Sequence, residues 1–278
     1  MTSNGKKPTE AVILSGARTP IGKFNGTLAS VDAPHLGAIA VKAAVERAGV
    51  EPSQIEEVLM GQVVAAGSGQ SPGRQAAIYA GLPVEVGASS VNKACGSGLK
   101  ALMFAAQAIR ASDSHLIVAG GMESMSGAPY LLRARQGFRY GHQQTFDSVI
   151  HDGLWCSFED WMMGNAAEFI ADEYEVTREA MDRLALESHQ KAIAAQDAGK
   201  FKTEIVPVTL TDSKGRHTVV DTDECPRRDT SLDVLSKLKP AFKEGGRVTP
   251  GNAPGLNDGG AAVVVASREY AERNGKQP

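Results

Sequence analysis

The chain has 278 residues, 42% of them hydrophobic and 22% charged, with a net charge of −3. That suits one large or two ordinary domains of a soluble globular protein with a substantial core. It excludes a molecule organised around a global field for nucleic acid or an anionic membrane, so any anionic ligand has to be met by a local basic cluster.

The opening "MTSNGKKPTE" is polar, with neither the apolar stretch of a signal peptide nor the arginine-rich pattern of a transit peptide. No apolar run reaches the roughly 18 residues of a membrane span. "AVILSGA", from Ala11, predicts a short buried strand. In "DAPHLGAIAVKAAVERAGV", Leu36, Ile39, Ala40 and Ala43 follow the i, i+3, i+4, i+7 spacing of a helix face, closed by Gly49. "IEEVLMGQVV" reads as a strand, "GRQAAIYAGL" as a small-residue helix, Gly98 to Arg110 as a helix and "HLIVAGG" as a strand. This alternation predicts an α/β fold with a mostly parallel sheet covered on both faces.

After Glu123 the character changes. Met125 to Trp161 lacks sustained periodicity and reads as a long, loop-rich excursion, with Trp155 and Trp161 expected to anchor its small core. A helix is expected from an N-cap at Thr177 to Gly199, and a hairpin from Val206 to Val220 around "DSKG". A Gly-rich turn then feeds the apolar run Ala261 to Ala266. The economical organisation is an α/β core formed by residues 1–124 and 245–278, with an inserted domain at 125–244.

The stretch that carries chemistry is "SSVNKACGSGLKALMFAAQAIR", Ser89 to Arg110. A thiolate, not a thiol, attacks a carbonyl, and a cysteine just before a helix sits beside free N–H groups and a partial positive charge. Leu99, Leu102, Met103, Ala106 and Ile109 predict the face that docks this helix on the sheet. Gly96 and Gly98 would let a substrate approach the backbone, whose N–H groups could hold a developing oxyanion. The pattern by itself leaves two readings of Cys95, an activated nucleophile and a small packing cysteine whose glycines serve only the tight turn.

"VNKACGSGLKAL" resembles the nucleophile segment of the thiolases, the acetyl-CoA C-acetyltransferase family. "ARTPIGKFNGTL", "GQSPGRQAAIYAGLP", "AGGMESMS" and "KLKPAFKEGGRVTPGNAPGLNDGGAA" resemble thiolase segments too, in family order and over essentially the whole chain. The resemblance implies a layered fold of two βαβαβαββ halves, with the first half and its inserted loop domain represented here. The Cys-x-Gly-Gly cysteine, the Asn-Glu-Ala-Phe segment and the Gly-His-Pro histidine of the family's second half do not occur in these residues. The implied activity is acyl transfer from coenzyme A, with Cys95 accepting the acyl group for Claisen condensation or for the reverse thiolysis of a 3-ketoacyl-CoA. On the same resemblance, residues 1–278 alone are expected to lack turnover and to need the second half. Fatty-acid metabolism, a cytoplasmic location and a homo-oligomer are also implied. The alternatives are a coenzyme A-binding half-subunit without catalysis and a sister condensing enzyme.

The resemblance further implies that Leu154, Met163, Ala241, Phe242 and Gly255 line the pantetheine channel, with Arg227 near the adenine and phosphates. Coenzyme A is polyanionic with a thin arm, and suits cations outside a narrow apolar channel. Sequence alone reads Arg227 and Arg228 as a solvated pair. Two positions depart from common family usage, Met162 where a histidine often stands and Pro254 where biosynthetic members often have serine. Coenzyme A would act as substrate, with no prosthetic group and no metal.

The other features are weaker. "GSGQSPG" has the spacing G-x-G-x-x-x-G, not that of a dinucleotide loop. The Arg133, Arg135, Arg139 and His142 group is expected to be an exposed or subunit-contact surface. Cys95, Cys156 and Cys225 have no metal-ligand spacing and read as reduced thiols, and none of the six histidines forms an i, i+4 pair. Asp113, Glu123 and Asp258 show no spacing that singles out a carboxylate pair.

Overall fold

A computed structural model describes residues 9–278; the polar residues 1–8 lie outside that range. β1 (Ala11–Arg18) and β2 (Gly22–Lys23) lead into α1 (Ala33–Ala48), followed by β3 (Glu57–Gly61), α2 (Pro72–Tyr79), β4 (Gly87–Val91), α3 (Ser97–Ala111) and β5 (Leu116–Ser124). The chain returns to this layer with β12 (Asn257–Ser267) and α7 (Arg268–Arg273). Local signals explain the helix ends. The Asp32 carboxylate accepts the His35 N–H at 2.9 Å, and Gly49 closes α1 at φ +60°.

The sheet runs β1-β12-β5-β3-β4, with β2 also on β12. β3 pairs parallel with β4 and β5, whereas β12 is antiparallel to β1, β2 and β5. The expected mostly parallel sheet is thus corrected to a mixed one. A short βαβ crossover enforces a parallel neighbour, but β12 arrives after a long excursion and is free to run the other way. The two glycines expected in a turn before Ala261 are inside β12. A β-carbon on Gly260 would lie 2.5 Å from the Leu36 carbonyl oxygen, so its absence lets α1 sit close on the strand.

Coverage of the two faces is unequal. α1 and α2 bury one face in a continuous core that includes Val41, Val58, Met60, Val118 and Val264. α3 alone lies on the other, over Leu59, Ile117 and Val265. Its docking face is Ser97, Ala101, Ala105 and Ile109; of the predicted face Ile109 is buried and Leu102 packs in part against the core, but Leu99 and Met103 are 66% and 45% exposed. The reason is distance: small residues bring the helix axis close to β3 and β5, where larger side chains would be excluded.

Between β5 and β12 come two short strand pairs, β6 (Tyr130–Leu131) with β7 (Phe146–Asp147) and β8 (Trp155–Cys156) with β9 (Trp161–Met162). A π-helical turn spans Val149–Leu154. α4 (Met163–Glu173), α5 (Arg178–Asp197), the hairpin β10 (Val208–Thr211) with β11 (His217–Val220), and α6 (Leu232–Ser236) follow. Thr177 caps α5 by accepting the Ala180 N–H at 3.2 Å. Trp161 is half-buried near Phe169, but Trp155 is 40% exposed and anchors no core. Buried carboxylates fasten this region: Glu168 accepts the Arg247 and Val248 N–H groups, and Asp182 accepts from Arg178 and Asn252.

Candidate active site

Cys95 is exposed on the turn between β4 and α3, whereas Cys156 and Cys225 are half-buried. The turn depends on Ala94, held in the left-handed region at φ +48°. That conformation costs a non-glycine residue about 1–2 kcal/mol. Asn92 Oδ1 accepts the Ala94 N–H at 3.0 Å, and Ser97 Oγ accepts the Lys93 N–H at 2.8 Å while donating to the Ala94 carbonyl at 2.6 Å. The Gly96 and Ser97 N–H groups donate to the Lys93 and Ala94 carbonyls. At roughly 0.5–1.5 kcal/mol each, these bonds outweigh the strain.

α3 begins immediately after Cys95, with Gly96 as its N-cap, no side-chain cap and no acidic residue in the first turn. The positive end of the helix is therefore unneutralised where the thiol emerges. None of the bonds that close the turn uses the Cys95 sulfur. Five of the six histidine rings engage partners elsewhere: Asp32 for His35, Ser267 for His115, Asp152 for His151, the Arg227 N–H for His189 and Thr211 for His217; the sixth, His142, is exposed. Cys225 is a contrast, because burial pushes its thiol pKa up even though Asn257 Nδ2 donates to it at 2.9 Å.

The crowding at this turn comes from a residue the sequence did not single out. A β-carbon on Gly61, at the end of β3, would lie 2.5 Å from the Gly98 nitrogen, whereas one on Gly96 would meet only the Lys93 carbonyl at 3.5 Å. Gly61 thus sets how deeply the start of α3 seats.

Four of the residues implied by the resemblance lie together. Leu154 precedes β8 and Met163 follows β9, and the Trp155–Met162 pairing brings the two segments side by side. The Phe242 ring occupies the space a side chain on Gly164 would need, and the Phe242 carbonyl accepts from Asn165 Nδ2 at 2.8 Å. The Ala241 N–H donates to the Val248 carbonyl at 2.9 Å. Pro240, Ala241, Phe242 and Lys243 edge an open surface depression, not an enclosed channel.

Gly255 and Arg227 lie on segments that bond the chain around β2. The Phe24 N–H donates to the Leu256 carbonyl, and Glu224 accepts the Lys23 and Thr27 N–H groups at 3.0 and 3.1 Å. Arg18 forks onto both oxygens of Asp223 at 2.7 and 2.9 Å and also binds Glu204. This carboxylate pair anchors the strip that carries Arg227. The two arginines then part: Arg228 forks onto Asp197, while no ion pair within the described residues uses the exposed Arg227 guanidinium. His189 is held below its ordinary range by burial and by the Arg227 charge. Among the described residues no cluster is arranged to hold a metal ion, and no helix is long and apolar enough to cross a membrane.

An exposed cysteine at a strained strand-to-helix turn, on a mixed sheet interrupted by a long insertion, defines a class of α/β proteins that present a thiol at a helix start. Comparison with known proteins makes it specific. The family model described as "Thiolase, N-terminal domain" matches residues 11–269, and the chain belongs to the thiolase family. It is 55% identical to an acetyl-CoA acetyltransferase of Cupriavidus necator, over 97% of this chain and 69% of that protein. It is 51% identical to one of Pseudomonas aeruginosa, over 96% and 68%. The solved acetyl-CoA acetyltransferase of Syntrophomonas wolfei superposes with a TM-score of 0.94 at 44% identity, covering 98% of this chain and 68% of that one. The chain therefore spans about two thirds of the length of these relatives.

Proposed function

We propose that this chain carries the acyl-accepting part of a thiolase-type acyltransferase, with acetyl-CoA as the donor. The observation that carries the reading is Cys95, exposed at the unneutralised start of α3 in a chain of the thiolase family. The Cys95 thiolate attacks the thioester carbonyl, and the tetrahedral oxyanion collapses with expulsion of the coenzyme A thiolate, which takes up a proton. The α-carbon of a second acyl-CoA, after losing a proton to a base, attacks the acyl-cysteine carbonyl and releases the Cys95 thiolate. Thiolysis of a 3-ketoacyl-CoA is the reverse.

In this reading Leu154, Met163, Ala241, Phe242 and Gly255 flank the pantetheine arm and Arg227 meets the nucleotide phosphates. What supports the first group is the packing of the Met163 and Phe242 segments; what supports Arg227 is a guanidinium with no carboxylate in its described ion pairs. We place the acid/base groups outside residues 9–278; what supports this is that five of the six histidines are engaged with partners other than the Cys95 turn. The same placement gives residues 1–278 alone little turnover and a partner surface on the exposed side of α3. Residues 125–244 act as the loop domain, in a cytoplasmic homo-oligomer.

The test is acylation. Incubation with acetyl-CoA, followed by peptide mapping, should find the acetyl group on Cys95 and lose it in Cys95→Ala. Acetylation at Cys156 or Cys225 instead, or none at Cys95 in the full-length protein, would remove the nucleophile assignment.

A further inference from the structure

Glu123, on β5, faces the dipeptide Val63–Val64 that follows β3. Its Oε2 accepts the Val63 N–H at 2.9 Å and its Oε1 accepts the Val64 N–H at 3.2 Å. The sheet ladder reaches Gln62, whose N–H donates to the Val91 carbonyl, so these two N–H groups depend on the carboxylate. Burial pushes the Glu123 carboxyl above its ordinary range, although the two N–H groups act the other way, and the negative charge of Asp258 adds to the rise. Asp258 is itself held by the Ser126 N–H and hydroxyl.

The clamped dipeptide is in turn a support. The Val63 carbonyl accepts Asn92 Nδ2 at 3.2 Å, and Asn92 Oδ1 accepts the Ala94 N–H at 3.0 Å. Ala94 is the left-handed residue that presents Cys95. On its other side, Val64 lies 3.3 Å from where a β-carbon on Gly153 would stand, next to Leu154. We propose that Glu123 is a positioning residue for the nucleophile: it clamps Val63 and Val64, the Val63 carbonyl holds Asn92, and Asn92 holds the Ala94 turn and so the direction of the Cys95 thiol. This rests on Cys95 being the nucleophile. A carboxylate suits the role because it offers one oxygen to each of two adjacent N–H groups, whereas an amide would turn its NH₂ against one of them.

The test measures iodoacetamide labelling rates at each cysteine by peptide mapping, in the full protein, for wild type, Glu123→Gln, Glu123→Asp and Asn92→Ala. Glu56→Gln is the control, since Glu56 also accepts backbone N–H groups, of His115 and Leu116, at the opposite end of β5. We expect Cys95 labelling to slow roughly tenfold in Glu123→Gln and in Asn92→Ala, a part of the about hundredfold that a 1 Å misplacement of a reacting group can cost. Glu123→Asp should fall between, and Cys156 should be unchanged throughout. The double variant should be little slower than either single one, because both break the same chain of bonds. Wild-type labelling of Cys95 in folded Glu123→Gln would overturn the proposal. If Glu123→Gln does not fold, or if wild-type Cys95 labels no faster than in the denatured protein, wild-type amide exchange decides. The Val63, Val64 and Ala94 N–H groups should then exchange as one unit, and fast exchange at Ala94 with Val63 and Val64 protected would overturn the inference. An unreactive wild-type Cys95 with joint exchange would instead count against the nucleophile reading alone.

Discussion

The α-carbon of Gly61 faces the backbone nitrogen of Gly98 so closely that a β-carbon on Gly61 would lie 2.5 Å from it. The end of β3 and the start of α3 are therefore in backbone contact, and the height of the Cys95 turn above the sheet is set there. Gly61→Ala should lift the first turn of α3. We expect a loss of about 1–3 kcal/mol in denaturant unfolding, the usual cost of overpacking. Slower labelling of Cys95 should accompany it. Unchanged stability and unchanged labelling would show that the helix start yields freely.

The two faces of α3 make a second test. Ile109 is fully buried over the sheet, whereas Met103 is 45% exposed. Ile109→Ala should cost about 2–5 kcal/mol, as large-to-small core changes do. Met103→Ala in the same chain should cost well under half of that. Thermal or urea melts of both variants check it, and equal losses would mean that the exposed side of α3 is covered in solution by another surface.

Arg227 and Arg228 are neighbours with different employment. Arg228 is committed to Asp197, and both are well exposed, so Arg228→Ala should leave stability nearly unchanged. Arg227→Ala should weaken coenzyme A by about 1.5–3 kcal/mol if the contact is charge-assisted, with less effect on a pantetheine ligand lacking the nucleotide. Calorimetric titration of both ligands, in the complete enzyme, distinguishes them. Equal losses for the two would remove the phosphate contact.

Glu224 supplies a pH prediction. Burial on its own would raise its carboxyl, but the Lys23 and Thr27 N–H groups, the Thr27 hydroxyl and the Lys23 ammonium outweigh that and hold it below the ordinary range. A carboxyl depressed in the folded state contributes stability above its unfolded pKa and loses it as pH falls through the folded one. Wild type should therefore lose more stability than Glu224→Gln between neutral pH and about pH 3. Parallel curves for the two proteins would show that Glu224 is not coupled to folding.

The local features of this protein were legible in its sequence because their causes are local. Asp32 and Gly49 bound α1, and Thr177 begins α5. Each is a matter of one side chain or one φ angle acting within a few residues. The motifs that mark the thiolase family are of the same kind, short and contiguous.

What only the tertiary structure decided depends on residues far apart in the chain. β12 inserts antiparallel between β1 and β5 because a long excursion frees its direction. α3 turns Ala101, Ala105 and Ile109 inward because Gly61 and Gly121 let a helix with small residues approach more closely than one presenting Leu99 and Met103. Leu154 and Met163 become neighbours only through the Trp155–Met162 pairing. Glu123 gave no sign of a role from spacing, since its partners Val63 and Val64 offer backbone N–H groups, which every non-proline residue has and no sequence pattern distinguishes.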